Sequence, residues 1–177
     1  MPNTKHYVIT AITLGLIGAA SAAAIGVTNL ITKDKIAENE KNNIQSGIVE
    51  IFGQNSTILE EKSIDEGDYT TTVYTVKTEG VDHNQYALRT DGSNMYGKIS
   101  LLIGFDYLNQ FKGMSIISNE QTYAATLIEN YVNPIKEAED KEKKIEDVSC
   151  GATYGATLIR NMISDAKEVL LKINAKE

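Results

Sequence analysis

The chain has 177 residues, with 17 Lys and Arg against 24 Asp and Glu, and so a net charge of −7. With one cysteine it can form no internal disulfide, and one cysteine with two histidines gives no Cys/His ligand set for a metal. The acidic balance argues against a nucleic-acid partner, because phosphate backbones are bound by clustered Lys and Arg. An apolar content of 42% and a charged content of 23% are typical of a folded protein.

The first feature along the chain is an uncharged run of 26 residues, from Tyr7 to Thr32. As a helix at ~1.5 Å per residue it would be about 39 Å long, more than the ~30 Å hydrocarbon core of a bilayer. Residues 1–32 are therefore predicted to be an N-terminal tail and a transmembrane helix. The alternative is a signal peptide cleaved near Ala22. We favour the uncleaved anchor, because the apolar run continues through Ile31 and a signal peptide has no need of that extension.

The sequence gives only a weak signal for the side of the membrane on which residues 33–177 lie. Lys33, Lys35 and Lys41 follow the run and only Lys5 precedes it, which by lysine count favours a cytoplasmic C-terminal part. Long domains can be translocated regardless of charge, so the residues leave both orientations open.

Residues 33–177 are enough for one domain with a real core, and their patterns predict an α+β fold with a mainly antiparallel sheet and packed helices. A helix is predicted from about Lys33 to Phe52, ended by Gly53 and Asn55. Runs rich in Thr, Val, Tyr and Ile then predict strands, separated by turn signals. The strands are expected at 69–78, 83–89, 98–105 and 107–117, with turns at 90–93 and near Asp106.

The C-terminal part of the chain predicts helices. Residues 120–131 carry apolar side chains on one face, and Pro134 is expected to stop that helix. The charge run at 136–146 is predicted to be a solvated helix or loop. From Leu158 to Ile173 the apolar residues follow a 3.6-residue period, which predicts a helix packed on the sheet and starting just after Thr153.

The stretch ahead of this last helix is DVSCGATY, from Asp147 to Tyr154. Small residues in a loop that leads into a helix expose backbone N–H groups, and the helix N-terminus adds partial positive charge, so such a site suits a phosphate. Thr153 would hold a hydroxyl there. The alternative is that Thr153 is only the N-cap of the helix, the usual role of Ser or Thr at that place.

The same stretch resembles the flavinylation site of the FMN-binding domain family, which is found in the G-type subunit of Rnf complexes and in the C-type subunit of the sodium-pumping NADH:quinone oxidoreductase. The family pattern is an Asp, three residues of which the last is usually Ser, then Gly-Ala-Thr and a hydrophobic residue. Asp147, the Gly-Ala-Thr ending at Thr153 and then Tyr154 fit this spacing. In the family a flavin transferase esterifies the Thr hydroxyl with the phosphate of FMN, so the resemblance implies covalent FMN on Thr153. A second Gly-Ala-Thr ends at Thr157, but Gly151 stands where that copy would need the acid.

The chain also departs from the family pattern. Cys150 stands where Ser is usual and is expected to be a small buried residue rather than a redox-active thiol. Gly155 and Ala156 stand where Ser or Thr are usual. The family's Glu-Thr-Pro-Gly-Leu-Gly loop appears only as residues 119–124, without its Pro and Gly, while residues 95–99 give a weaker match to a Gly-rich turn that enters a strand.

The resemblance implies a set of cofactor-binding residues and no catalytic or metal-binding residue. Tyrosines and Leu158 are candidates for the walls around the flavin ring, although ordinary packing is the alternative for each tyrosine. The expected set is Thr153, Asp147, Cys150, Gly151, Ala152, Tyr154, Leu158, Tyr96, Gly97, Glu120 and Thr122, with Tyr123 as a further wall candidate.

The function implied by the resemblance is that of a membrane-anchored electron-transfer subunit in an Rnf-like ion-translocating (ferredoxin:NAD-type) oxidoreductase, with residues 33–177 as an extracytoplasmic FMN-binding domain. It would be a redox subunit of a translocase without a complete active site of its own. Its partners would be the other membrane subunits and a flavin transferase. The alternative is a membrane-anchored binding or adaptor module of the same fold that has lost its flavin. A hydrolase is a weak third, because no nucleophile signature accompanies His83.

Overall fold

The computed structural model describes residues 4–66 and 69–175, with side chains for residues 7–64 and 71–175. The chain divides into two compact units, residues 1–42 and 43–177. A long helix, α1 (Thr4–Phe52), forms the described part of the first unit, and its last ten residues belong to the second.

From Tyr7 to Ile31, α1 carries large apolar side chains that are exposed, whereas residues 33–42 are mainly charged or polar. Among the described residues, α1 is the one helix that is long and apolar enough to cross a membrane, judged by length and composition. The hydroxyls of Thr13, Thr28 and Thr32 donate to backbone carbonyls one turn back, at 2.9, 2.9 and 2.7 Å. These polar groups are therefore satisfied within the helix, as a hydrocarbon environment requires. The helix indicates a single-pass membrane protein.

The second unit is an α+β domain, as predicted. Over the described residues its sheet has five antiparallel strands in chain order, each paired with the next. The strands are β1 (Ser56–Glu66), β2 (Tyr69–Thr78), β3 (Gln85–Asn94), β4 (Gly97–Phe105) and β5 (Phe111–Asn119). The helices that follow are α2 (Ala124–Leu127), a π-helical turn (Ile128–Val132), α3 (Asn133–Glu137), α4 (Lys141–Ile145) and α5 (Thr153–Asn174).

Helices cover both faces of the sheet. Alternate side chains of a strand point to opposite faces, so Leu101 and Ile103 of β4 pack towards α5 while Leu102 packs towards residues 43–52 of α1. All three are fully buried, so β4 is packed on both of its faces. The cluster on the α5 side includes Leu88, Ile99, Leu101, Ile103, Phe105, Ile159, Met162, Ile163 and Leu170. The cluster on the α1 side includes Ile44, Ile48, Phe52, Tyr74, Val76, Ala87 and Leu102.

Several predicted boundaries are confirmed. The predicted helix ends at Phe52, where the N–H of Gly53 donates to the carbonyl of Val49 at 2.9 Å. The strand predicted at 69–78 is β2. The break near Asp106 is also real, because its Oδ1 accepts from the backbone N–H of Leu108 and Gln110, both at 2.9 Å. This turn delays the start of β5 to Phe111 rather than residue 107.

The turn predicted at 90–93 is wrong, because these residues continue β3 and pair with β4. The connection is a two-residue turn, Met95 and Tyr96, between the paired residues Asn94 and Gly97. A glycine inside a strand marks a close approach by a neighbouring element. A Cβ on Gly92 would lie 2.7 Å from Sδ of Met162, so this glycine makes room for α5.

The helix predicted at 120–131 is correct in kind but wrong in both bounds. It begins at Ala124 and runs through the π-helical turn into α3, with Pro134 in the first turn of α3. Proline has no N–H to donate to the preceding turn, and a locally wider π-helical turn just before it accommodates that loss. The helix therefore does not stop before Pro134 but changes from α-helical to π-helical and back.

Strand β1 was not predicted. Its sequence, STILEEKSIDE, lacks a clear alternation and carries Glu60, Glu61 and Lys62 in its middle, all of them exposed. It pairs with β2 along one edge, and Leu59 is 58% exposed. The strand forms because β2 provides partners for its backbone hydrogen bonds, and not because its own residues have high β-propensity.

The packing of α1 against the sheet can be tested at two glycines that face each other across β4 and β5. A Cβ on Gly104 would overlap Ile51 and lie 2.8 Å from Cζ of Phe52, whereas a Cβ on Gly113 would meet Ile51 at 3.7 Å, an ordinary contact. We expect Gly104→Ala to lower the free energy of unfolding by about 1–3 kcal/mol, because the helix must move. Urea unfolding of the detergent-solubilised protein measures this. Gly113→Ala is the matched control, and an equal loss in both variants would contradict the packing described here.

Candidate functional site

The candidate site is built around the first residue of α5. The N-cap of this helix is Ala152, and no side chain caps it. Thr153 follows as the first helical residue, and its side chain is exposed. The helix thus starts one residue earlier than expected, and the N-cap alternative for Thr153 is wrong, because the capping position belongs to the residue before it. Its hydroxyl is accessible from solvent beside a helix end with unsatisfied N–H groups.

The segment leading into α5 alternates between the core and the surface. Cys150 and Ala152 are buried in the main core, at 8% and 7% exposure, whereas Ser149 and Thr153 are exposed. Between them Gly151 has φ +79°, a left-handed conformation that suits glycine. Burial of the alternate residues holds the backbone in place and presents the hydroxyl of Thr153 on the outside.

An open cleft of about 270 Å³ lies against this helix start. Tyrosine rings line it: the ring centroid of Tyr96 lies 5.4 Å from that of Tyr154 and 5.8 Å from that of Tyr123. Tyr123 and Tyr154 are 54% and 63% exposed, so much aromatic surface remains available for contact. The described residues around the cleft include no charged side chain; they are Tyr96, Gln121, Tyr123, Leu127, Gly151, Ala152, Thr153, Tyr154 and Gly155.

The β3–β4 turn and the loop after β5 are joined along one side of the cleft. The carbonyl of Tyr96 accepts from the backbone N–H of Thr122 at 2.8 Å and from its hydroxyl at 3.1 Å. The backbone N–H of Glu120 donates to the carbonyl of Lys98 at 2.8 Å. Gly97 has φ +132°, and a Cβ there would lie 2.8 Å from the carbonyl carbon of Glu120. Only glycine lets these two segments approach so closely.

Carboxamide side chains fix the other junctions of the site. Nδ2 of Asn94 donates to the carbonyl of Tyr154 at 3.1 Å, while its Oδ1 accepts from the N–H of Tyr96 at 2.8 Å. Nδ2 of Asn130 donates to the carbonyl of Cys150 at 3.2 Å, and Nε2 of Gln121 donates to the carbonyl of Gly97. The three bonds that the amide NH₂ groups donate each join segments at least 20 residues apart in sequence.

Sequence reasoning missed all three carboxamides. Asn94 carries a weak signal, since Asn is favoured beside tight turns, but that turn was placed too early. Asn130 and Gln121 carry no signal, because nothing in the sequence shows which carbonyl an isolated amide will meet.

The predicted site residues fall into three groups. Tyr96, Gly151, Ala152, Thr153 and Tyr154 line the cleft together. Gly97 and Thr122 shape its side through backbone contacts, and Cys150 lies buried within the segment that leads into α5, residues 147–152.

The remaining three, Leu158, Glu120 and Asp147, lie outside the cleft lining. Leu158 is half-buried and packs on the main core, 3.2 Å from where a Cβ on Gly92 would stand. Glu120 lines a separate polar cleft with Lys98. The structure does not bring Leu158 or Glu120 to the tyrosine-lined cleft.

Asp147 lies in the segment that leads into α5 but outside the cleft lining. Its Oδ2 lies 3.0 Å from Nζ of Lys144, and its side chain is 57% exposed. The hydrogen bond and charge of Lys144, and the backbone N–H of Ser149, lower the pKa of this carboxyl. Asp147 is therefore a carboxylate at neutral pH, on the outer surface of the segment that ends in Thr153.

The first turn of α5 packs closely on α2. A Cβ on Gly155 would lie 2.8 Å from Cδ2 of Leu127, which is 1% exposed. Leu127 thus occupies the space that the Ser or Thr usual at this position in the resembled family would need. The glycine at position 155, where the resembled family usually has Ser or Thr, is therefore explained by its contact with Leu127.

Residues 1–51 match the family model described as RnfG N-terminal region. This match supports an RnfG-like protein and so a subunit of an Rnf complex. It covers α1 up to Ile51, and the cleft lies beyond it. No curated protein and no solved structure matches the chain.

The contact between Gly155 and Leu127 predicts a double-mutant effect. Gly155→Ala alone should lower the free energy of unfolding by about 1–3 kcal/mol, because the new methyl group overpacks against a buried leucine. In a Leu127→Ala background the same change should be neutral or stabilising, since Ala exceeds Gly in helix propensity by about 0.8–1 kcal/mol. Urea unfolding of the four proteins completes the cycle. An equal cost in both backgrounds would refute the contact.

Proposed function

We propose that this chain is a membrane-anchored electron-transfer subunit of an Rnf-type complex that carries FMN covalently on Thr153. The carrying observation is the placement of Thr153: an exposed hydroxyl at an uncapped helix start, beside an uncharged cleft with exposed tyrosine rings. The match of residues 1–51 to the RnfG N-terminal region supports the assignment to an Rnf-type complex from a separate part of the chain.

The residues present fit the cofactor. A phosphoester on Thr153 would place its phosphate at the N-terminus of the 22-residue α5, where free N–H groups and the helix dipole favour negative charge. The uncharged lining and the rings of Tyr96, Tyr123 and Tyr154 suit a flat aromatic ring. Thr157 lies in the second turn of α5, outside the cleft lining, and is only partly exposed.

When bound, FMN supplies one- and two-electron chemistry that side chains lack. The protein's part is attachment, orientation and a defined environment. Asn94, Gln121 and Asn130 hold the walls together, and the exposed edges of Tyr123 and Tyr154 leave one side of the cleft open. This open side gives a redox partner short access to the cofactor.

The partners would be the other membrane subunits of the complex and, for maturation, a flavin transferase. Between Tyr7 and Thr32 the chain has no charged residue, so the ion path would belong to those other subunits. The domain would lie on the extracytoplasmic side, with α1 as its anchor.

Substitution of Thr153 tests covalent attachment. Co-expressed with a flavin transferase, the wild-type protein should give a flavin-fluorescent band on a denaturing gel, and Thr153→Ala should abolish it by removing the esterified hydroxyl. Thr157→Ala is the matched control, being the same change in the neighbouring Gly-Ala-Thr, and should keep the band. A dark wild-type band would refute covalent flavin and favour a flavin-free adaptor. A fluorescent Thr153→Ala band would refute Thr153 as the attachment residue.

The tyrosine walls can be tested by the fluorescence of the attached flavin in the folded protein. Contact with phenol rings quenches flavin emission, so the wild-type signal should rise on unfolding in urea. Tyr96→Leu should show a smaller rise, because its ring lies between the other two. Tyr107, which stacks on His83 at 4.6 Å and lies outside the cleft lining, provides the control Tyr107→Leu. Identical rises in all three proteins would show that the flavin lies elsewhere.

A further inference from the structure

Gln121 is a buried polar residue in the lining of the cleft. It lines the cleft beside Tyr123 and Gly155, yet only 6% of its surface is exposed. Its backbone is held firmly, since its N–H donates to Oδ1 of Asn119 at 3.0 Å. Buried carboxamides in proteins have their polar atoms matched, so the direction of each end of this side chain carries information.

The orientation of the amide follows from its partner. The group beside it is the carbonyl of Gly97, which can only accept, so the NH₂ end must face that carbonyl. The oxygen, Oε1, is then the free end. It lies 3.5 Å from the position that a Cβ on Gly155 would take, which places it against the first turn of α5, two residues after Thr153. An acceptor therefore faces the cleft lining close to the attachment point.

We propose that Oε1 of Gln121 accepts a hydrogen bond from a donor group of the attached flavin and so fixes its position; this rests on the proposed function. Flavin offers two kinds of donor, the imide N–H of its ring and the hydroxyls of its ribityl chain. The other described residues that line the cleft are three tyrosines, Leu127, Thr153 and small residues, so Gln121 supplies the one carboxamide acceptor among them. Gln121 is thus a positioning residue for the cofactor.

Two nearly isosteric variants separate the two ends of the amide. Gln121→Met removes the acceptor and the donor to Gly97, whereas Gln121→Glu removes that donor but keeps an acceptor. Each protein is co-expressed with a flavin transferase and first scored on a denaturing gel for covalent flavin. The folded proteins are then compared by fluorescence anisotropy of the flavin, and by titration of its imide proton in the absorption spectrum.

We expect Gln121→Met to be labelled and to show lower anisotropy than wild type, while Gln121→Glu stays near wild type. If the donor is the imide N–H, the midpoint pH of its proton loss falls by about one unit in Gln121→Met, because one hydrogen bond to the neutral form is lost. The midpoint should rise in Gln121→Glu. If the donor is a ribityl hydroxyl, the anisotropy falls in Gln121→Met with no change in midpoint.

Wild-type anisotropy and midpoint in Gln121→Met would overturn the inference. So would an equal fall in anisotropy in both variants, since the bond to Gly97 would then be the cause. Should Gln121→Met fail to fold in a thermal melt, Gln121→Glu decides alone: an anisotropy below wild type overturns the inference. An unlabelled wild-type protein is a different result, because it refutes covalent flavin attachment itself.

Discussion

The burial of α5 on β3 and β4 is the contact on which the rest of the domain depends. Met162 of α5 lies where a side chain on Gly92 would be, so the helix axis comes close to the sheet at this point. This close packing of α5 on the sheet fixes the position of the first turn of α5 relative to the β3–β4 turn. The hydroxyl of Thr153 and the ring of Tyr96 come from residues 57 positions apart, and their meeting is a direct result of this one packing interface.

Small residues and carboxamides turn that packing into a defined cleft. Gly97 and Gly155 let backbone and side chains approach where any larger residue would collide. Asn94, Gln121 and Asn130 then donate to carbonyls on the opposing segments, which fixes the walls without placing a charge in the lining. The buried amide of Gln121 would cost about 1–3 kcal/mol if it lacked such a partner, so its bond also favours a single arrangement of the loops.

Features that depend on local chemistry could be predicted from the sequence. The apolar run, β2 and the strong periodicity of α5 are such features, as is the gathering of residues 151–154 at a helix start. Features that depend on the neighbours of a residue could not be predicted. Gly92 was predicted to lie in a turn, since its close contact with Met162 is visible only in the fold. Pro134 was predicted to stop a helix, since the π-helical turn before it leaves no pattern in the sequence. Glu120 and Leu158 were placed at the site by resemblance, but the loop after β5 turns Gln121 into the cleft instead.

Strand β1 forms an outer edge of the sheet. The charged residues that kept it from being predicted as a strand also protect this edge. An open strand edge is a template on which another chain can add, and charged side chains along it discourage that pairing. Glu60, Glu61 and Lys62 are exposed in the middle of this edge. A membrane confines the copies of a protein anchored by α1 to a two-dimensional layer, and an edge of this kind resists edge-to-edge pairing between them while the side of the domain that carries Thr153 remains open.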